Sequence, residues 1–320
     1  MRLNHSQLIA RRYYRLLALT SLLAVFIMAA LGRTPLGIAA AEPGQKVFAT
    51  PGDAAAATVA ALTANDRPAL LTIFGKDGKG LLNSGDPVED ANEVKTFLAA
   101  YKQMHRFRIG PDSKLYLLVG ANNWPMPIPL VHGPSGWYFD TAYGKQEFIY
   151  RRVGANENAA IDILHAIVSA EHDYYGSAAG GAREYTARLL SDPGQHNGLA
   201  WASADGKPAG PMGDLAAAAY SEGYKPQPGK PIPVQGYYFR ILDRQGPHAA
   251  GGSKSYISSG KMTNGFAVLA YPAKYRSSGV MTFLAGPDGS IYERDLGPQT
   301  ARLAPAITSF NPDSAWHRTD

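Results

Sequence analysis

The stretch Asn156–Tyr175, NENAAIDILHAIVSAEHDYY, decides how the rest of the chain is read. Ala160, Ile163, Leu164, Ile167, Ala170 and Tyr174 recur at the three- and four-residue steps that place side chains on one helical face. The spacing predicts a helix from about Asn156 to Tyr175, introduced by Gly154–Asn158 and ended within Gly176–Gly181. On both sides of it the apolar period falls to two, the period of a strand.

Upstream, Asp53–Leu62 and Asp66–Ile73 read as short helices, the second with Asp66 as N-cap and Pro68 in its first turn. Phe74–Gly80 is a glycine-rich turn that lacks the terminal Lys-Ser/Thr of a phosphate loop. Asp86–Asp90 reads as an acidic loop and Glu93–Met104 as a helix. Strands follow at Arg106–Ile109, Lys114–Val119 and Trp124–Val131, then Trp137–Asp140. Pro125, Pro127 and Pro129 alternate, so their missing donors point to one side and predict an outward-facing edge strand. Downstream, Ala182–Leu190 carries a helical pattern, and residues 191–233 are rich in Gly and Pro apart from a helix at Met212–Glu222 closed by Gly223. Strands resume at Gln235–Leu242, Phe266–Tyr271, Gly279–Leu284 and Ser290–Asp295.

The first 41 residues have a different character. Four arginines precede an apolar run from Leu16 to Leu31, and Ala39-Ala40-Ala41 follows. That is the form of a signal peptide cut after Ala41. The chain carries 31 basic and 26 acidic residues, but the leader holds five arginines and no acid, so the mature part is balanced. It has no surplus charge for a phosphate-binding stripe, which argues against a nucleic-acid partner. Cysteine is absent, which excludes disulfides, thiolate catalysis and a lipobox. No later segment is apolar enough to span a membrane once the leader is removed.

The expected fold class is α+β in two parts. Residues 42–150, helices followed by a curved antiparallel meander, resemble the cone-shaped domain of the nuclear-transport-factor-2-like superfamily. Residues 155–320, a long helix followed by a second meander, resemble a pilin head, with residues 191–233 as an irregular insertion. Neither likeness chooses a function. The chain also resembles a bacterial exported family known as domain of unknown function 2950. The likeness rests on Ser84-Gly85-Asp86-Pro87, Trp124-Pro125-x-Pro127, Gly136-Trp137-x-Phe139-Asp140-Thr141, Arg151-Arg152-x-Gly154-x-Asn156-Glu157, Gly236–Leu242 and Gly279–Phe283. It implies a periplasmic or secreted location in a Gram-negative-type bacterium, and no activity or catalytic residue.

The aromatic residues are the clearest functional signal. Adjacent strand residues point to opposite faces, so Trp137 and Tyr138 cannot both be core. With Trp124, Arg151 and Arg152 they form the expected partner-binding set, because rigid amphipathic rings suit sugar and peptide surfaces. Asp140, Glu157 and His165 are the residues a hydrolytic site between the two parts would use, with Asp140 expected to face an arginine. Asp162, His165 and His172 share the long helix and include metal-ligand types, but only Asp162 and His165 have ligand spacing. No Gly-x-Ser-x-Gly elbow is present. The reading is of an envelope binding or assembly factor without cofactor, acting on an envelope protein or polysaccharide. A glycan or peptidoglycan hydrolase and a purely structural protein are the alternatives.

Overall fold

The computed structural model describes residues 40–179, 181–226 and 230–319; the expected leader lies almost wholly outside them. Helix α1 (Pro51–Thr63) starts at a reciprocal cap in which Asp53 N donates to Thr50 Oγ1 and Thr50 N to Asp53 Oδ2, both at 3.1 Å. Helix α2 (Arg67–Phe74) is capped by Asp66, as expected. Helix α3 (Pro87–Gln103) starts six residues before the expected Glu93. The acidic stretch is its first turn, with Asp86 as N-cap, Pro87 behind it, and Glu89 and Asp90 at the positive end of the helix.

Strands β1 (His105–Ile109), β2 (Leu115–Val119), β3 (Trp124–Pro125), β4 (Leu130–Gly133) and β5 (Gly136–Phe139) form an antiparallel sheet ordered β1-β2-β4-β5, with β3 also on β2. The proline-marked edge is therefore a correction. Residues 124–131 are two short strands, both on the inner side of β2, and the prolines interrupt the ladder between them. Met126 and Ile128 alternate with the prolines and bury their side chains in the core. Phe48 bridges to Trp137 and covers the β5 side. The first apolar core lies between α1–α3 and this sheet and includes Leu70, Ile73, Phe74, Leu117, Leu130 and Phe139.

Helix α4 runs Thr141–Ser177, capped by Asp140, so it begins fifteen residues before the expected start. Gly154 does not break it, because a single glycine costs about 1 kcal/mol and the turns on both sides are held by their own packing. Gly144 and Gly154, two of the glycines of this helix, predict opposite results. A Cβ at Gly144 would lie 2.5 Å from Ile128 Cα and from Pro127 O, whereas one at Gly154 would meet nothing within 4 Å. Gly144→Ala is expected to destabilise by about 2 kcal/mol or more. Gly154→Ala is expected to stabilise by about 0.5–1 kcal/mol. Urea unfolding of the two variants checks both signs.

Residues 182–190 are not helical. Tyr185 N–H donates to Met262 O at 2.8 Å, and Leu190 bridges to Ala200, so tertiary partners take the backbone groups a helix would use. The excursion carries a small hairpin of β6 (Trp201–Ala202) and β7 (Pro208–Ala209), then α5 (Gly213–Glu222), closed by Gly223 in the left-handed region as expected. It is not only surface: Leu199 and Tyr224 are buried.

After β8 (Tyr237–Leu242) come two small pairs. They are β9 (Arg244–Gln245) with β10 (Lys254–Ser255), and β11 (Ile257–Ser258) with β12 (Lys261–Met262). Then β13 (Ala267–Pro272), β14 (Met281–Ala285), β15 (Ile291–Asp295) and β16 (His317–Arg318) complete a five-stranded antiparallel sheet ordered β16-β15-β14-β13-β8. The apolar stripe of α4, Ala160 to Tyr174, belongs to the second core together with the buried Val268, Leu269, Phe283 and Ala285 of this sheet. The protein is thus a mixed α+β chain with several antiparallel sheets. Among the described residues no helix is long and apolar enough to cross a membrane.

Candidate functional site

The first half of α4 carries an exposed aromatic and charged strip. Its N-cap fixes where it starts: Asp140 Oδ1 accepts from Tyr143 N at 3.2 Å, and Oδ2 pairs with Lys114. Asp140 therefore faces a lysine and the helix end, not Arg151 or Arg152. The Lys114 ammonium lies 4.1 Å from the centre of the Tyr143 ring, which is 52% exposed. Two turns on, Tyr150 is 63% exposed. Close approach at Gly144 lets α4 lie along residues 125–128, so Arg151 reaches back to β3. Its Nη1 donates to Pro125 O at 2.9 Å and its Nε to Glu147 Oε1 at 2.7 Å. The guanidinium then sits 5.7 Å from the centre of the Trp124 ring, which is 42% exposed. Tyr143, Glu147, Tyr150 and Arg151 share one helical face.

The rest of the expected binding set points elsewhere. Trp137 is half-buried, edge-on to His132, and its backbone exchanges two 2.8 Å bonds with Phe48. Tyr138 is buried. Arg152 is buried although its neighbour Arg151 is exposed. It binds Glu93 through Nε and Nη2, donates to Leu81 O at 2.9 Å, and leaves Nη1 without a hydrogen-bond partner.

Arg152 belongs to a polar cluster that ties the two cores together; residue spacing did not announce it, although Asp86, Arg152, Asn156 and Gly236 all lie in the stretches that carry the family resemblance. Asp86 is fully buried. Its Oδ1 accepts from Val88 N and Glu89 N at 3.1 Å each. Its Oδ2 accepts from Tyr224 OH at 2.9 Å and Gly236 N at 3.1 Å. Beside it, burial and then the charge of Glu93 push the buried Glu89 carboxyl up to about 7, against the pull of Asn156 and Arg152. Asn156 also donates to Ser278 O at 3.0 Å. The available signals were Asp86-Pro87, a cap followed by an N1 proline, and the place of these residues in the stretches shared with the family.

Glu157 lies within the second core region. Its Oε1 accepts from Val280 N at 2.8 Å and Met281 N at 3.0 Å. Burial, and then the neighbouring Glu157, raise the carboxyl of Glu293, against the pull of His317. Met281, Glu293, Asp295 and His317 line a hollow of about 330 Å³. Asp140 is remote from Glu157: seventeen residues of helix are about 25 Å. Asp140, Glu157 and His165 are thus strung along α4 rather than gathered. His165 and Asp162 are exposed; burial raises the Asp162 carboxyl and His165 opposes it. His172 lies near Pro287 O at 2.8 Å through Nε2 and packs against Tyr185 and Phe266. Among the described residues no three or more His, Asp or Glu stand together as a set that could hold a metal ion.

No curated protein and no solved structure matches this chain. One family model does, that of a protein of unknown function, DUF2950, over residues 45–319. The match spans both cores and every residue of the strip, the junction and the hollow, and the chain belongs to this family of exported bacterial proteins.

Proposed function

We propose that this protein is a non-enzymatic binding or assembly factor of the bacterial envelope, periplasmic or secreted in a Gram-negative-type cell. It holds an envelope polysaccharide or protein through the Trp124–Arg151–Tyr150–Tyr143 strip. The observation that carries the reading is the exposed Trp124 ring with Arg151 fixed over it. An indole face, a guanidinium held in place by Glu147 and Pro125, and two further exposed rings offer stacking surface and hydrogen-bond donors without rearrangement. Tyr143 and Tyr150 are about 10 Å apart along the axis, a spacing that suits an extended polymer. Charges in the strip are paired, which suits an uncharged ligand.

The test is titration of the immobilised protein with solubilised envelope polysaccharide and with envelope protein extract. Trp124→Ala is expected to weaken binding about 30-fold, the loss of one hot-spot ring. Unchanged affinity in a folded Trp124→Ala variant sinks the reading, and no binding of either material by the wild type leaves a structural role.

A second reading, glycan hydrolysis, draws on the neighbouring carboxylates of Glu157 and Glu293 beside the hollow lined by His317. Glycan turnover lost in Glu157→Gln would favour it. On the fold, three helices over a five-stranded sheet support the cone-like reading of residues 42–150, and a long helix on a meander supports the pilin-head-like reading of residues 155–320. Two separate apolar cores support two parts, with α4 shared by both.

A further inference from the structure

We propose that Glu171 is a pH-sensitive pin that holds the excursion of residues 185–199 against α4, closed while its carboxyl is protonated and released as the pH rises. Glu171 sits in the second-last turn of α4 and is fully buried. Its Oε2 accepts one bond, from Thr186 N at 3.0 Å, and its Oε1 has no hydrogen-bond partner. Buried carboxylates are ordinarily paired or multiply hydrogen-bonded. This one contacts the excursion at the point where that segment is fastened. Thr186 Oγ1 donates to Asn197 O and Tyr174 OH to His196 O, each at 2.7 Å. Tyr185 packs on Tyr175, His172 and Phe266.

Among the described residues no neighbouring cation offsets the charge. The ionisable groups around Glu171 are Tyr174 on its own helix and Tyr185 on the excursion, both raised by burial and in part by Glu171 itself. Glu184, which also acts on Tyr174, is paired with Lys261 at 3.7 Å. His172 is exposed and lies against Pro287 O. Burial pushes the Glu171 carboxyl up to about 8, and the single bond from Thr186 offsets only part of that.

The direction follows from linkage. Once the excursion lifts, the carboxyl meets water and ionises at its ordinary value near 4.5. The opened form therefore gains on the closed form by up to tenfold per pH unit between that value and about 8, then levels off. An exported chain meets the pH of its surroundings, and the excursion would loosen as they turn alkaline.

Amide hydrogen exchange of the full chain from pH 5 to 8.5, corrected for intrinsic rates, tests this. Protection at Thr186 and Leu199 is expected to lie below that of Val268 and Leu269 in the sheet and to fall about tenfold per pH unit up to about pH 8. In Glu171→Gln, which keeps an acceptor for Thr186 N but cannot ionise, the fall should vanish. Three results would overturn the proposal: flat protection in the wild type, protection equal to that of the sheet, or the same slope in Glu171→Gln. If the variant does not fold, the wild-type profile decides alone.

Discussion

Asp86→Ala is expected to lower the free energy of unfolding by about 4 kcal/mol. The carboxylate takes four hydrogen bonds with no exposure to solvent. Two of the donors are the first free N–H groups of α3, and losing a cap alone costs about 1 kcal/mol. The other two, Tyr224 OH and Gly236 N, belong to chain segments well over a hundred residues away. Alanine would leave them buried and unpaired, which costs about 1–3 kcal/mol each. Asp86→Asn should be milder, since its carbonyl can still cap α3 while the amide opposes Gly236 N–H. Tyr224→Phe should cost about 1–2 kcal/mol, because it also strips Gln235 N of its acceptor. Urea unfolding of the three variants gives the ranking. A cost below 1 kcal/mol for Asp86→Ala would show that the cluster does not join the cores.

The same residue marks the border of what the sequence revealed. Where local chemistry decides, the reading succeeded. Asp66 with Pro68 starts α2, Gly223 ends α5, and the turn-separated apolar runs after Val234 are β8, β13, β14 and β15 of the second sheet, with the edge strand β16 unanticipated. Where distant partners decide, it failed. Residues 182–190 have a helical pattern, but Met262 and Ala200 claim their backbone. Gly154 looks like a boundary, yet a helix packed on both sides of it absorbs one glycine. The proline alternation correctly signalled lost ladder bonds, but the pairing of Leu130 with Leu115 put that defect inside the sheet. Of the expected binding residues, Trp124 and Arg151 meet because α4 begins early enough to lie along β3. Arg152, one position on, turns 100° around the helix and is buried. The carboxylates of greatest chemical interest, Asp86, Glu89, Glu171 and Glu293, owe their character to burial, which residue type and spacing do not display.

Burial of this kind fixes the pH dependence of stability. The protein is expected to be most stable near pH 5 and to lose several kcal/mol by pH 8. Glu89 is raised to about 7 and Glu171 to about 8, both chiefly by burial. A carboxyl whose folded value exceeds its unfolded one binds its proton more tightly in the folded state. Its contribution is complete below the unfolded value near 4.5 and is lost as the pH climbs to the folded one. With both groups acting, the unfolded chain holds up to two fewer protons across that window, a slope of about −2 to −3 kcal/mol per pH unit at its steepest. Asp112 and Asp288 act in the opposite sense. Burial acts to raise both, but the combined hydrogen bonds from Tyr116, Lys114 N and Tyr143 to Asp112, and from the hydroxyl and N–H of Ser290 to Asp288, lower them on balance, so their contribution is lost only as the pH falls below the usual carboxylate range. The two sets bracket an optimum on the acid side of neutrality. Urea unfolding at pH 4, 5, 6, 7 and 8 should trace it, and the double variant Glu89→Gln with Glu171→Gln should flatten the alkaline limb. Stability that is level or rising from pH 5 to 8 would mean that these carboxylates ionise in the folded protein as they do in water.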